Sequence, residues 1–493
     1  MSRLNTFQQV IAFLLILLGS HLWVASCVVN LQRAMLARKI HRRCLDEIGK
    51  RRQPPSGNEP GGKGMEKQGV AAESPPVPSA RADAAAIASP VPPYLSVSPN
   101  RPNKIATFSQ CGITIPSHDG PTTVHSPSSQ VVSKSGKNGN SDGASGSDGY
   151  PCEKAQRERD TLAALTTLSW LLPAYLISFQ VLGTVAIGAW VAHRAPDIVA
   201  ANALNPWWFA AFNVVSAFNN SGMSLLDANM IPFATRGSFV VLVQGLLILA
   251  GNSAFPIFLK ALVALLPSRL PGARVLRDDH KLFPYLFGGR ETYWLLAMLV
   301  ALNTIDWATF AASSPFTPTL QPLSAPRMLL AGLFQALCVR SGGFAIVSIR
   351  DLHATVLLAY TVMLYISAFP IALPPPAHAG PESTLRFIVR QLRGLMRAGD
   401  LRYLAAAVWL ICAIDGSPPG GVFAVVFEIA SAFGCVGVSF GSDANGALSL
   451  VADWRGASKL VAASVMLWGR FRELRRGILV CWGQAEEPGV SGS

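Results

Sequence analysis

FNVVSAFNNSGMS (residues 212–224) and FEIASAFGCVGVS (427–439) are one short segment written twice: Phe, Ser-Ala-Phe, Gly and Ser fall at identical offsets. A looser copy, LFQALCVRSGGF, occupies 333–344. Each copy lies in an apolar stretch, near 207–221, 328–342 and 421–436, and each stretch lies between two longer apolar runs. A membrane span takes about 20 apolar residues, so the short stretches cannot cross a bilayer. A repeat of this kind decides the fold before any other feature does. The expected unit is a span, a re-entrant helix, an extended loop and a second span.

The longer runs lie near 7–30, 162–192, 237–266, 292–314 and 353–375, with weaker ones near 401–414 and 457–480. The run at 401–414 is short and is expected to begin earlier, inside the basic stretch before it. Half of the 493 residues are hydrophobic, 14% are charged, and mean hydropathy is +0.35. A soluble domain carries about 25% charged residues, so the composition points to the bilayer. The net charge of +13 does not indicate nucleic acid, because the basic residues gather at the ends of apolar runs. That placement fixes orientation in a membrane. Eight scattered cysteines form no C-x-x-C pair, which argues against a zinc site or a disulfide framework.

Only Arg3 precedes the first run, whereas Arg33, Arg38, Lys39, Arg42 and Arg43 follow it. This is the reverse of a signal peptide and predicts a retained span with its N-terminus outside. Basic groups recur at Arg269, Arg274, Arg277 and Lys281, at Arg386, Arg390, Arg393 and Arg397, and at Arg470, Arg472, Arg475 and Arg476. Each marks a cytoplasmic side, so the three short segments open outward. Residues 44–160 are rich in Pro, Ser and Gly and are expected to be a disordered cytoplasmic loop.

Such a repeat has a chemical use. A cation entering a bilayer must exchange water for other oxygens, and backbone carbonyls supply them where the chain runs extended along a pore. Glycine lets that backbone reach the axis with no side chain in the way. The C-terminal end of a short helix aimed at the pore presents negative potential to the cation. Exposed backbone is tolerated there because it lines a wet path.

SAFNNSGMSLLDANMIP (216–232) resembles the second filter region of fungal Trk-type potassium transporters, of the Trk/Ktr/HKT superfamily. GNSAFPIFLK (251–260) is similar to the helix that follows, FQALCVRSGGF (334–344) to the third filter, and 427–441 to the fourth. LNTFQQV (4–10) is similar to the stretch after the first filter. The resemblance covers 4–43 and 160–480. It implies an all-α membrane protein built from repeated span, re-entrant pore helix and span units around one pore. Three complete repeats are expected, plus the last helix of the first, with the first outer helix and first filter loop lacking. The implied boundaries are 1–43 (closing helix of repeat one), 44–160 (loop), 161–285, 286–398 and 399–480 (repeats two to four) and 481–493 (tail).

By the same resemblance Ser221, Gly222, Met223, Ser341, Gly342, Gly343, Val436, Gly437 and Val438 are the filter residues that would hold potassium. Lys459 and Arg470, in or beside the last span, would place positive charge near the path, because charges inside membranes are usually functional. Snorkelling of Arg470 to the cytoplasmic surface is the alternative. Asp306 would pair with a basic neighbour or face a wet cavity near Asn303. Asp227 would sit in the outer mouth, where it could concentrate cations, or be a solvated loop charge, and Arg340 would brace the third pore helix. Asn219-Asn220-Ser221 matches a glycosylation sequon but is expected to stay unmodified beside the filter.

The implied activity is uptake of a monovalent cation, potassium before sodium, across the plasma membrane by a multi-pass protein, driven by membrane potential. The alternative is a truncated, non-transporting or regulatory remnant. No Ser/His/Asp set, H-E-x-x-H motif or nucleotide-binding motif is present, so neither an enzyme nor a cofactor is expected. The expected partners are the potassium ion and the lipid bilayer, with no nucleic acid; a homo-oligomer is compatible with this reading.

Overall fold

Helices and turns account for all the regular structure among the described residues. The structure is a computed structural model. It describes residues 4–52, 149–270, 272–278, 282–283, 285–317, 323–366, 383–395, 398–416, 419–442 and 448–482. These belong to one unit formed by residues 1–52 and 146–493. Most of the expected loop, 53–148, lies outside the described residues, as does the tail from 483.

The first apolar run, expected as one span, is two helices. Asn5 starts α1 (Thr6–Leu18) with a capping box: its side chain accepts from the Gln8 amide at 2.9 Å, and Gln8 returns the bond to the Asn5 amide. The chain then breaks at Gly19 and Ser20 and turns by 52° into α2 (His21–Arg52). Repeat two opens with α3 (Gly149–Arg194), which lies antiparallel to α2. Arg33 Nη1 donates to Ser169 Oγ at 3.2 Å, and Arg43 Nη1 pairs with Glu158 at 2.6 Å. These cross-links explain why helix continues beyond the boundaries at 44 and 160 that composition suggests.

After the short α4 (Pro196–Ala200) comes the first re-entrant helix, α5 (Pro206–Phe218). Asn205 caps it by accepting from the Trp207 amide at 2.8 Å, and Pro206 occupies a first-turn position that needs no N–H. The loop after it leads through α6 (Phe233–Arg236) to α7 (Ser238–Gly251) and α8 (Phe255–Leu265). The run at 237–266 is therefore no single span, for α7 and α8 meet at 80°. Pro256, in the first turn of α8, cannot donate back across the break at 252–254.

Repeat two closes with the short α9 (Ala273–Asp278), which packs on α3 and α8, and repeat three consists of α10 (Gly289–Ser313), the re-entrant α11 (Ala325–Leu337), α12 (Ala354–Tyr365) and α13 (Thr384–Leu395). The expected span at 353–375 is helical only as far as Tyr365; residues 367–382 lie outside the described residues. Repeat four is α14 (Ala398–Asp415), the re-entrant α15 (Gly421–Gly434) and α16 (Gly456–Trp482). α14 begins at Ala398, three residues before the apolar run at 401–414 but after Arg397, so the described helix starts at the end of the basic stretch and not inside it.

Among the described residues, Ala155–Arg194 and Gly289–Phe316 are each long and apolar enough to cross a membrane, and the bent pairs α1–α2 and α7–α8 qualify as pairs. One rule of packing joins the repeats. Within each complete repeat the outer helix touches its own re-entrant and closing helices: α3 with α5 and α7, α10 with α11 and α12, α14 with α15 and α16. Between repeats, the closing helix of one packs on the re-entrant helix of the next: α1 on α5, α7 on α11, α12 on α15. The re-entrant helices are thereby brought to a common centre. The repeated phenylalanines Phe212, Phe218, Phe427 and Phe433 form their anchors, all fully buried.

Candidate functional site: three converging glycine loops

The loops after α5 and α15 have the same backbone. The Ser221 amide donates to the Ser216 carbonyl at 2.9 Å and the Val436 amide to the Ser431 carbonyl at 3.1 Å. Asn220 and Cys435 then take left-handed conformations, with φ of 54° and 53°, and two residues later so do Gly222 (69°) and Gly437 (89°). L-residues pay about 1–2 kcal/mol for this region, so the glycines match the demand and Asn220 and Cys435 carry the strain. Loop three is one residue shorter from Phe to Gly. It compensates with a π turn over Cys338–Gly342, closed by the Gly343 amide on the Cys338 carbonyl at 2.9 Å, and Gly343 again has a left-handed φ of 73°.

The three glycines meet. A Cβ on Gly222 would lie 2.6 Å from the Gly343 Cα, and one on Gly343 would lie 2.1 Å from the Val436 carbonyl oxygen. A Cβ on Gly437 would lie 3.6 Å from the Ser221 carbonyl oxygen. Residues more than 200 positions apart thus approach backbone to backbone. The carbonyls of Ser221 and Val436, each just before its glycine, lie at the point of convergence. The three backbones are in contact at this level.

Above them opens a cavity of about 470 Å³, lined by all three glycines together with Asp227, Val438 and Ser439. The exits of the loops are laced across this mouth: the Met230 amide donates to the Ala345 carbonyl at 3.0 Å, and Arg350 Nη2 to the Gly441 carbonyl at 2.9 Å.

Not every expected filter residue reaches the centre. Ser221, Gly222, Gly343, Val436 and Gly437 do, and Val438 lines the cavity above. The Ser341 hydroxyl is turned away to Ser253 in the α7–α8 break, at 3.0 Å, and Gly342 packs on Ile248 of α7. Met223 is half-buried against the apolar core. Asp227 is exposed at the mouth. Asp306, fully buried on α10, interacts electrostatically with the buried Arg340 behind the third loop. Neither joins the glycine ring.

Lys459 and Arg470 separate. Lys459 lies in the first turn of α16, exposed, with Nζ donating to the Ala452 carbonyl at 3.0 Å. Arg470 is 11 residues further along α16, about 16 Å of helix. Its Nη2 donates to the Gly19 carbonyl at 2.7 Å, in the break between α1 and α2. Repeat four is thus tied to the first two helices at Arg470. Neither charge lines the outer cavity.

Two further side chains brace the loops. Glu428 Oε1 accepts from the Ser439 hydroxyl at 2.5 Å and from the Phe440 amide at 2.9 Å. Gln335 Oε1 accepts from the Ile346 amide at 3.0 Å. Phe440 and Ile346 each stand three residues after their filter glycine, so the two bonds are equivalent. In repeat two the matching residue is Asn213, one methylene shorter than Gln, and its Oδ1 makes no hydrogen bond among the described residues. The sequence held a signal for these positions: a polar residue directly after the repeated Phe, on an otherwise apolar helix.

A family model described as TrkH, a cation transport protein, matches residues 136–373, just under half of the chain, covering repeat two and repeat three as far as the end of α12. The chain is 28% identical over 377 residues to the low-affinity potassium transport protein of Saccharomyces cerevisiae, covering 63% of this chain and 42% of that protein. It is 29% identical over 364 residues to potassium transport protein 1 of Schizosaccharomyces pombe, covering 66% and 42%. The chain therefore spans less than half the length of these curated relatives. A solved structure of the potassium transporter TrkH from Vibrio parahaemolyticus aligns over 68% of this chain and 70% of that chain, with 13% identity and a TM-score of 0.40.

Proposed function

We propose that the chain is a Trk-type cation transport protein that takes up potassium across the plasma membrane through the three-glycine constriction, a reading supported by its similarity to that family. One observation carries this reading: Gly222, Gly343 and Gly437 converge backbone to backbone beneath an outer cavity, with the Ser221 and Val436 carbonyls at the same point. A dehydrating cation needs oxygens there, and backbone supplies them without side chains. Asp227 at the exposed mouth raises the local cation concentration. The electrical driving force is about 2.3 kcal/mol per charge per 100 mV. At roughly 200 mV it reaches about 4.6 kcal/mol, enough for a gradient above a thousandfold. Neither a nucleotide nor a cofactor is required.

Because the three backbones touch, the loops must separate for an ion to pass. That contact is also the observation behind the second reading, a non-transporting or regulatory chain. Rubidium uptake in a cell without potassium uptake of its own distinguishes the two. Uptake that disappears when the membrane potential is collapsed is the expected result. Absence of uptake with the protein at the cell surface overturns the transport reading.

A further inference from the structure

The helix α13 carries three stripes of different chemistry. Phe387 and Gln391, spaced i and i+4, face the protein and are 4% and 1% exposed. Phe387 lies edge-on to Trp294, with ring centroids 5.9 Å apart, and the Arg290 guanidinium sits 4.2 Å over its ring. The adjoining stripe, Leu385, Val389 and Leu392, faces outward and is apolar, with Leu385 72% exposed. The next stripe is Arg386, Arg390 and Arg393, of which Arg386 and Arg393 are exposed, while Arg390 is half-buried with its guanidinium 5.4 Å over the Phe387 ring. With i, i+4 and i+7 spacing, each stripe keeps to one side of the helix.

The place of α13 matters as much as its pattern. It docks on the first turns of α10, and the third filter loop follows the other end of α10. The basic residues Arg269, Arg274 and Arg277 stand in the chain just before that same end, which the positive-inside rule assigns to the cytoplasm. An apolar stripe bordered by arginines at this level matches a boundary where acyl chains meet headgroups. The arginines supply fixed positive charge and planar donors that match phosphate oxygens. Arg290 adds a fourth guanidinium beside them.

We propose that α13 is an interfacial helix that binds anionic phospholipid headgroups of the cytoplasmic leaflet, with Leu385, Val389 and Leu392 in the acyl layer, Arg386 and Arg393 on the phosphates and Arg390 adding positive charge from its place over Phe387. This inference needs only that the chain is embedded in a membrane; it is independent of whether the chain transports potassium.

The test is hydrogen exchange of the 384–395 amides in the full chain. It is held in nanodiscs of phosphatidylcholine alone or of phosphatidylcholine mixed with phosphatidylserine. Slower exchange in the mixed lipid, weakening as salt is raised, is expected. Arg386→Gln and Arg393→Gln should each weaken phosphatidylserine binding about fivefold. The R386Q/R390Q/R393Q protein should lose the difference between lipids, whereas R269Q/R274Q should keep it. Equal exchange of the wild-type chain in the two lipids overturns the proposal, and this comparison needs no variant to fold. Protection that arises only when an acidic soluble protein is added also overturns it, since α13 would then be a protein-docking helix.

Discussion

Gly251, the last residue of α7, lies under the Phe218 carbonyl at the end of α5, so close that a Cβ on it would stand 1.7 Å from that oxygen. Repeat four reproduces the relationship: a Cβ on Gly469 would stand 1.9 Å from the Phe433 carbonyl oxygen. In both repeats the closing helix meets its own re-entrant helix at a glycine, and the end of the re-entrant helix is thereby fixed in depth.

The first prediction follows from this contact. Gly251→Ala or Gly469→Ala forces backbone apart and should destabilise the fold by about 1–3 kcal/mol, the usual range for overpacking. Gly289→Ala is the control, because nothing lies within 4 Å of its Cβ position. It should be neutral or stabilising by up to about 1 kcal/mol. Thermal unfolding in one detergent compares all three; equal midpoints would contradict the packing argument.

At the filter the three glycines should not be equally sensitive. Alanine at any of them meets a left-handed φ, at about 1–2 kcal/mol. Gly343→Ala also collides with the Val436 carbonyl and Gly222→Ala with the Gly343 backbone, while Gly437→Ala has room at 3.6 Å. Rubidium uptake per surface molecule should therefore fall most for Gly343→Ala, next for Gly222→Ala and least for Gly437→Ala. The larger Gly222→Asp and Gly437→Asp should both abolish uptake or severely alter it. Unchanged uptake in both aspartate variants would remove these loops from the path.

Glu428 should act through its acceptor oxygen. Glu428→Gln keeps an oxygen for the Phe440 amide and the Ser439 hydroxyl, so its rubidium-to-sodium uptake ratio should stay near that of the wild type. Glu428→Ala leaves the amide without its partner, at up to about 1–3 kcal/mol, and should lower that ratio. Gln335→Ala should do the same through Ile346. If Glu428→Gln and Glu428→Ala behave alike, the charge matters and the tether does not.

The two charges of α16 should part company in function as they do in space. Lys459→Gln removes an exposed bond to Ala452 and should leave flux within error of the wild type. Arg470→Gln frees the Gly19 carbonyl and removes the charge beside the α1–α2 break. We expect it to raise cation flux or loosen its voltage dependence. Current–voltage curves that are identical for Arg470→Gln and the wild type would make Arg470 a structural tie alone.

Much of this was legible in the chain because the repeat is local. Phe-x-x-x-Ser-Ala-Phe recurs with its glycine at a fixed offset, and apolar length alone separates the spans from the re-entrant helices α5, α11 and α15. Local patterns therefore determined the membrane class, the repeat unit and which three glycines end the short segments. The helix breaks were less visible, since Gly19 and Gly251 sit in apolar runs that hydropathy reads as continuous.

Tertiary structure alone decided the rest, because each case depends on contacts between residues far apart in the chain. Ser341 and Gly343 are two positions apart, yet one faces Ser253 and the other Val436; the π turn that divides them has no compositional mark. Lys459 and Arg470 look alike as charges at an apolar helix, and only the packing of repeat four beside α1 gives Arg470 a partner 451 residues away. The Glu428 and Gln335 bonds required both the helix and the loop to be placed before an acceptor could find its amide. Hydrophobic periodicity records which face of an element is buried, whereas the partner across a backbone contact is fixed only when the repeats close on one another.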